Sequence, residues 1–115
     1  MHEMSLAGGI LRVVEDAAAR ERFVRVKRLA LEAGALAGVE VRALRFALEA
    51  IAPGTVLEGA AIEIAEPPGT AWCMTCSATV EIASRADACP RCGRFQLAPT
   101  GGTELKVREL IVHDD

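Results

Sequence analysis

The sequence predicts an α+β protein: two helices on a three-stranded sheet, with a small cysteine-bearing module inserted before the last strand. Three observations predict it. Apolar residues at helical and then alternating spacing run helix, strand, helix, strand before Pro67, an α/β-type order for the N-terminal part. Two breaks, Pro67-Pro68-Gly69 and Pro99-Thr100-Gly101-Gly102, bracket all four cysteines. An alternating stretch from Glu104 to Val112 follows the second break. Two strands alone close a sheet poorly, so the last strand is expected to pair with the first two and leave the module as an insertion.

Ser5 to Arg20 is expected to be helical. Leu6, Ile10, Val13, Val14 and Ala17 form one apolar face, and Glu15, Asp16 and Arg20 lie off it. Gly8 and Gly9 each cost about 1 kcal/mol relative to alanine there; a close backbone contact with another element would explain them. Phe23 to Glu32 reads as a strand, with Val24 and Val26 alternating with Arg25 and Lys27. Its apolar parity then switches to Leu29 and Leu31, so either a bulge lies near Arg28 or both faces are covered. Gly34 and Gly38 punctuate a loop. Glu40 to Ala52 reads as the second helix, with Val41, Leu44, Ala47, Leu48 and Ile51 on one face and Pro53-Gly54 at its end. Ile62 and Ile64 flank Glu63 in a second strand over 60–65, and Leu105, Val107 and Ile111 share one parity in the last strand.

At 115 residues the chain fits one compact domain or a small core with an inserted module. Hydrophobic residues make up 51% of it, but with three Phe, one Trp and no Tyr the core must be aliphatic and thin. A net charge of −3 argues against nucleic-acid binding, which needs a basic footprint. Glu3 stands where a signal peptide would carry a basic region, and the apolar stretches are too short and too charged to span a membrane. A cytoplasmic protein without membrane contact is expected.

The four cysteines stand as Cys73-Met-Thr-Cys76 and Cys89-Pro-Arg-Cys92-Gly93. Each pair can place two sulfurs on one side of an ion, and the residues between the pairs can fold back as a short hairpin. This is the spacing of a zinc ribbon. Pro90 restricts the second loop, and Gly93 allows the positive φ of a tight turn that points N–H groups at the sulfurs. Two disulfides would fit an exported protein, which nothing here suggests. A redox pair would need one Cys-x-x-Cys at a helix start rather than two matched knuckles. Four thiolates also hold a single iron, and zinc is the expected ion. Cysteines reserved for a metal fit a reducing compartment.

The chain begins Met1-His2-Glu3. The Met1 amine, the backbone nitrogen of His2 and its imidazole Nδ1 can close adjacent chelate rings on one metal. A further ligand could come from the backbone nitrogen of Glu3 or a side-chain oxygen. Nickel(II) and copper(II) favour such nitrogen-rich tetragonal sites. Initiator methionine is usually retained before a residue as bulky as His, which would keep His2 second. His113 stands near a charged tail and is expected to be solvated. No Ser-His-Asp set, phosphate loop or convergent carboxylate pair is visible, so an enzyme is not expected.

Met1-His2-Glu3-Met4-Ser5-Leu6 before a helix, the loop Leu31-Glu-Ala-Gly34-Ala-Leu36-Ala-Gly38-Val39, and Cys73-x-x-Cys76 with Cys89-Pro-x-Cys92 together resemble the HypA/HybF family of hydrogenase nickel-insertion accessory proteins. The likeness runs from Met1 to the final strand. It implies delivery of nickel(II), as transferred cargo, to the large subunit of nickel–iron hydrogenase, together with a partner GTPase of the HypB type. Urease maturation proteins are a further candidate partner. It implies His2 as the essential nickel ligand with Glu3 beside it, and a structural zinc on Cys73, Cys76, Cys89 and Cys92. It also implies two domains: a discontinuous nickel-binding α/β domain, placed at 1–68 and 101–115, and a zinc-binding ribbon at 69–100. In some members an acidic residue before the second helix lies close to nickel, and Glu40 stands there in this chain. The chain departs from the family at Glu32-Ala33-Gly34-Ala35, where relatives often carry a Gly-Glu pair. The competing reading is a zinc-ribbon adaptor for proteins or nucleic acid in which His2 is idle.

Overall fold

A computed structural model describes residues 2–113. Its elements are α1 (His2–Glu21), β1 (Val26–Ala33), α2 (Val41–Ile51), β2 (Ala61–Ala65), β3 (Gly69–Cys73), β4 (Ala78–Ile82), β5 (Leu97–Gly101) and β6 (Leu105–Val112). The strands form two three-stranded sheets, ordered β2-β1-β6 and β4-β3-β5. The last strand therefore joins the first two, as the sequence predicts. The chain divides into a unit of 1–31, 40–64 and 107–115 and a unit of 32–39 and 65–106.

In the first unit, α1 starts three residues earlier than Ser5, so His2 and Glu3 lie in its first turn. Ala7, Ile10, Val14 and Ala17 are its buried residues. Val13, placed on that face from the sequence, is exposed. The buried face is therefore narrower than the apolar pattern suggests. No close contact explains Gly8 and Gly9: a Cβ at either would meet nothing within 4 Å. Helix α2 matches its pattern, with Leu44, Ala47 and Leu48 buried. Glu40 is its N-cap; the Glu40 carboxylate accepts from the Arg42 N–H at 2.9 Å.

Strand β1 starts at Val26, and Val24 lies outside it, exposed. The parity switch is two-sided burial, since Leu29, Ala30 and Leu31 are all buried in succession. Arg28 on this central strand donates to Glu63 of β2 at 3.3 Å and to Glu109 of β6 at 3.1 Å. The fully buried side chains here are aliphatic: Val14, Val26, Leu29, Leu31, Leu44, Leu48 and Leu57.

In the second unit, β3 pairs antiparallel with β4 and with β5. Two expectations are corrected. The hairpin does not lie between the cysteine pairs; β3 precedes Cys76, and the first knuckle is itself the turn into β4. Pro99 does not sit in a break but in β5, with Ala71 as its register partner. A proline lacks an N–H to donate, so it is tolerated at a sheet edge, and β5 is an edge strand. Segment 32–39 belongs to this unit as well. Leu36 joins Ala71, Cys73, Val80, Ile82 and Cys89 in its core. The N–H groups of Gly34, Ala35 and Leu36 donate to the carbonyls of Glu104, Pro67 and Gly102. Gly34 is required for this approach, because a Cβ there would overlap the Gly102 carbonyl.

Candidate metal centres

The β3–β4 turn supplies Cys73 and Cys76, and the loop between β4 and β5 supplies Cys89 and Cys92. All four sulfurs lie within 4.8 Å of one another. Cys73 and Cys92 are 3.7 Å apart and Cys76 and Cys89 4.0 Å apart. Tetrahedral zinc with bonds of about 2.3 Å needs sulfur separations of about 3.8 Å, so the donor set fits that ion. None of the four is disulfide-bonded. Cys73 and Cys89 are buried and the other two half-buried, so the centre is enclosed.

Backbone donors support the sulfurs. Cys76 N–H points at the Cys73 sulfur and Arg91 N–H at the Cys89 sulfur, each at 3.4 Å. Gly93 takes φ 77° and Ser77 takes φ 50° at the matching place after each second cysteine. Only the glycine does so without steric cost. Burial works to raise the Cys89 thiol, yet donation from Cys92 and Arg91 N–H groups outweighs it and lowers the thiol to about 7. Cys76 is pushed up to about 12, first by burial and then by the neighbouring Cys92, Cys73 and Cys89 sulfurs. Gathering four sulfurs in one enclosed cluster makes full deprotonation costly, and a bound cation would offset that charge. An ion held by all four thiolates would have no open position for a reacting molecule.

The second set of candidate ligands lies in the first unit. His2 is 67% exposed, and its Nδ1 is 4.0 Å from the Glu3 carboxylate. The same Glu3 oxygen accepts the backbone N–H of Glu40 at 3.1 Å. That bond is the main reason the Glu3 carboxyl lies below its ordinary value. The starts of α1 and α2 thus meet through the Glu3 carboxylate and the Glu40 backbone, while the Glu40 carboxylate itself is turned to the Arg42 N–H and is not brought together with His2 and Glu3 as a ligand set. The first N–H groups of a helix have no intrahelical acceptor, so the backbone nitrogens of His2 and Glu3 are not committed to the helix. The Met1 amine lies outside the described residues. His113 is exposed, on the extended chain just after β6. The sequence alone did not reveal that Glu3 bonds Glu40, nor the apolar cleft beside it, lined by Met4, Ala43, Phe46 and Ala47.

The sequence profile described as hydrogenase/urease nickel incorporation, metallochaperone, hypA matches residues 1–112. The chain belongs to the HypA family. It is 65% identical over 115 residues to a hydrogenase maturation factor HypA of Polaromonas naphthalenivorans, covering all of both chains. It is 65% identical over 114 residues to that of Cupriavidus necator, covering 99% of this chain and 96% of the relative. The solution structure of the Ni metallochaperone HypA from Helicobacter pylori superposes with a TM-score of 0.70, at 17% identity and over 98% of each chain. That likeness concerns the fold. Members of this family are metallochaperones and maturation factors rather than enzymes, so the chain works in nickel incorporation during hydrogenase maturation and is not a catalyst. The four-cysteine centre is consistent with structural zinc, and nickel fits as cargo. The adaptor reading without nickel is not favoured.

Proposed function

We propose that this chain carries nickel(II) on the Met1 amine, the His2 imidazole and backbone nitrogen, and a ligand from Glu3, with Glu40 close by. It hands the ion to the large subunit of nickel–iron hydrogenase in the cytoplasm, working with a GTPase of the HypB type. The observation that carries this reading is His2 exposed in the first turn of α1 with the Glu3 carboxylate 4.0 Å from its Nδ1. An exposed site suits transfer, because acceptor ligands can displace its donors one at a time. The α/β part at 1–68 and 101–115 would be the nickel-binding domain and 69–100 the zinc-binding ribbon, with zinc on Cys73, Cys76, Cys89 and Cys92. Among the described residues no helix is long and apolar enough to cross a membrane.

Calorimetric nickel titration of zinc-loaded protein tests the site. His2→Ala is expected to lose at least the roughly 10–100-fold that removing even a supporting contact costs a metal site. His113→Ala is expected to match wild type, and zinc content is expected to stay unchanged in both. An N-terminal extension should weaken binding as strongly as His2→Ala if the amine is a ligand. Affinity should fall with pH, because amine and imidazole ligate only when deprotonated. Unchanged affinity in His2→Ala would overturn the nickel site.

A further inference from the structure

The zinc ribbon has a surface that its structural role does not use. Residues 67–80 carry no charged side chain, and residues 88–103 carry only Arg91 and Arg94, in a chain that is 25% charged. Trp72, Met74 and Phe95 are exposed here by 42%, 63% and 72%. Trp72 lies in β3, Met74 in the turn just after it, and Phe95 two residues before β5. The Met74 N–H donates to the Gln96 carbonyl at 3.1 Å, which brings the turn after β3 and the segment leading into β5 to the same end of the ribbon. Arg91 and Arg94 are exposed, and among the described residues their guanidinium groups make no ion pair.

We propose that this end of the ribbon docks an acidic segment with aliphatic side chains on a partner protein. Met, Phe, Trp and Arg are the residue types enriched where proteins bury surface against partners, and Lys, Glu and Asp are depleted there. A carboxylate can take two parallel hydrogen bonds from each guanidinium, while Trp72, Met74 and Phe95 cover the apolar side chains. The competing role for the arginines is to offset the charge of the zinc–thiolate centre. Backbone N–H groups already point at those sulfurs, and that role leaves the exposed aromatic groups unexplained.

The inference extends the maturation role proposed above, and its test separates the two. The probe is the purified precursor of the nickel–iron hydrogenase large subunit, titrated against full-length zinc-loaded protein. The chain's single tryptophan is replaced by 5-fluorotryptophan, so its fluorine resonance reports on Trp72. Binding is expected to shift that resonance and to weaken as salt rises. Arg91→Gln/Arg94→Gln and, separately, Phe95→Ser are expected to lose tenfold or more in affinity, with zinc content, melting and nickel affinity unchanged. Affinities within twofold of wild type in both variants would overturn the inference, as would binding without a Trp72 shift. Zinc loss in the double-Gln variant would assign the arginines to the metal centre and overturn it. Self-association through this end in sedimentation would replace the acidic partner with a second copy. A wild type that takes up nickel through His2 but does not bind the precursor also overturns it. A wild type that binds the precursor through this end without taking up nickel leaves it standing and removes the nickel site instead.

Discussion

The two units of this chain solve the stability problem differently. The first buries seven aliphatic side chains almost completely, from Val14 to Leu57, and keeps its candidate metal ligands at an exposed helix start. The ribbon has a core cluster of six residues, two of which, Cys73 and Cys89, are themselves candidate ligands. On the proposed reading, one unit stands without metal and presents it, while the other is built around metal and would lose its core with it. A structural ion belongs where sulfur replaces missing hydrocarbon, and cargo belongs where the fold does not depend on it.

The largest expected effect breaks that contrast directly. Cys89→Ala leaves three thiolates and should release the zinc, forfeiting metal-coupled folding energy on the order of 10 kcal/mol. Metal analysis should show the loss, and hydrogen exchange should show 69–101 unprotected while the buried positions of α2 stay protected. Protection and zinc retained together would refute the metal dependence. The mirror experiment is Leu44→Ala in the fully buried core of the first unit. It should destabilise that unit by about 2–5 kcal/mol in denaturant titration with the zinc still bound. Zinc lost at the same denaturant concentration as the helices would mean that the two units unfold as one.

Smaller effects sharpen the comparison at backbone level. Ser77→Gly should stabilise the first knuckle by about 1–2 kcal/mol, because Ser77 holds φ 50° with a Cβ in place. Its readout is slower zinc loss to a chelator. In the first unit, Gly9→Ala should raise stability by about 1 kcal/mol, since the new methyl meets nothing within 4 Å. A destabilised Gly9→Ala protein would show that the added methyl is not in open space in solution.

The smallest effect depends on pH. The Glu58 carboxylate accepts the Gly54 N–H at 2.6 Å and lies 3.5 Å from Arg25. The N–H first and the guanidinium second hold its pKa below the ordinary 4.5. A lowered folded-state pKa gives stability that is fully present above 4.5 and is lost as pH falls through the lowered value. The stability gap between wild type and Glu58→Gln should therefore be constant near neutrality and close in acid. A gap that stays constant through the acid range would rule out this ion-dependent contribution.

Local order was legible in the residues themselves. The spacing of Leu44, Ala47 and Leu48 marks a helix face wherever that helix packs, and two Cys-x-x-Cys pairs define a donor set whatever lies between them. The start Met1-His2-Glu3 and the knuckles also pointed to the family that the comparisons show. Tertiary structure alone decided where pieces distant in sequence meet. It assigned Leu36 to the ribbon core, some 33 residues before the first strand of that sheet, because Gly34 and Gly102 let two backbones approach. It made β5 a strand despite Pro99, because an edge position needs no N–H there. It covered both faces of Leu29, Ala30 and Leu31, which no alternation could announce. And it joined Glu3 to the Glu40 N–H across 37 residues. Periodicity records the geometry of one element. Which elements become neighbours depends on contacts that the chain makes only after it has folded.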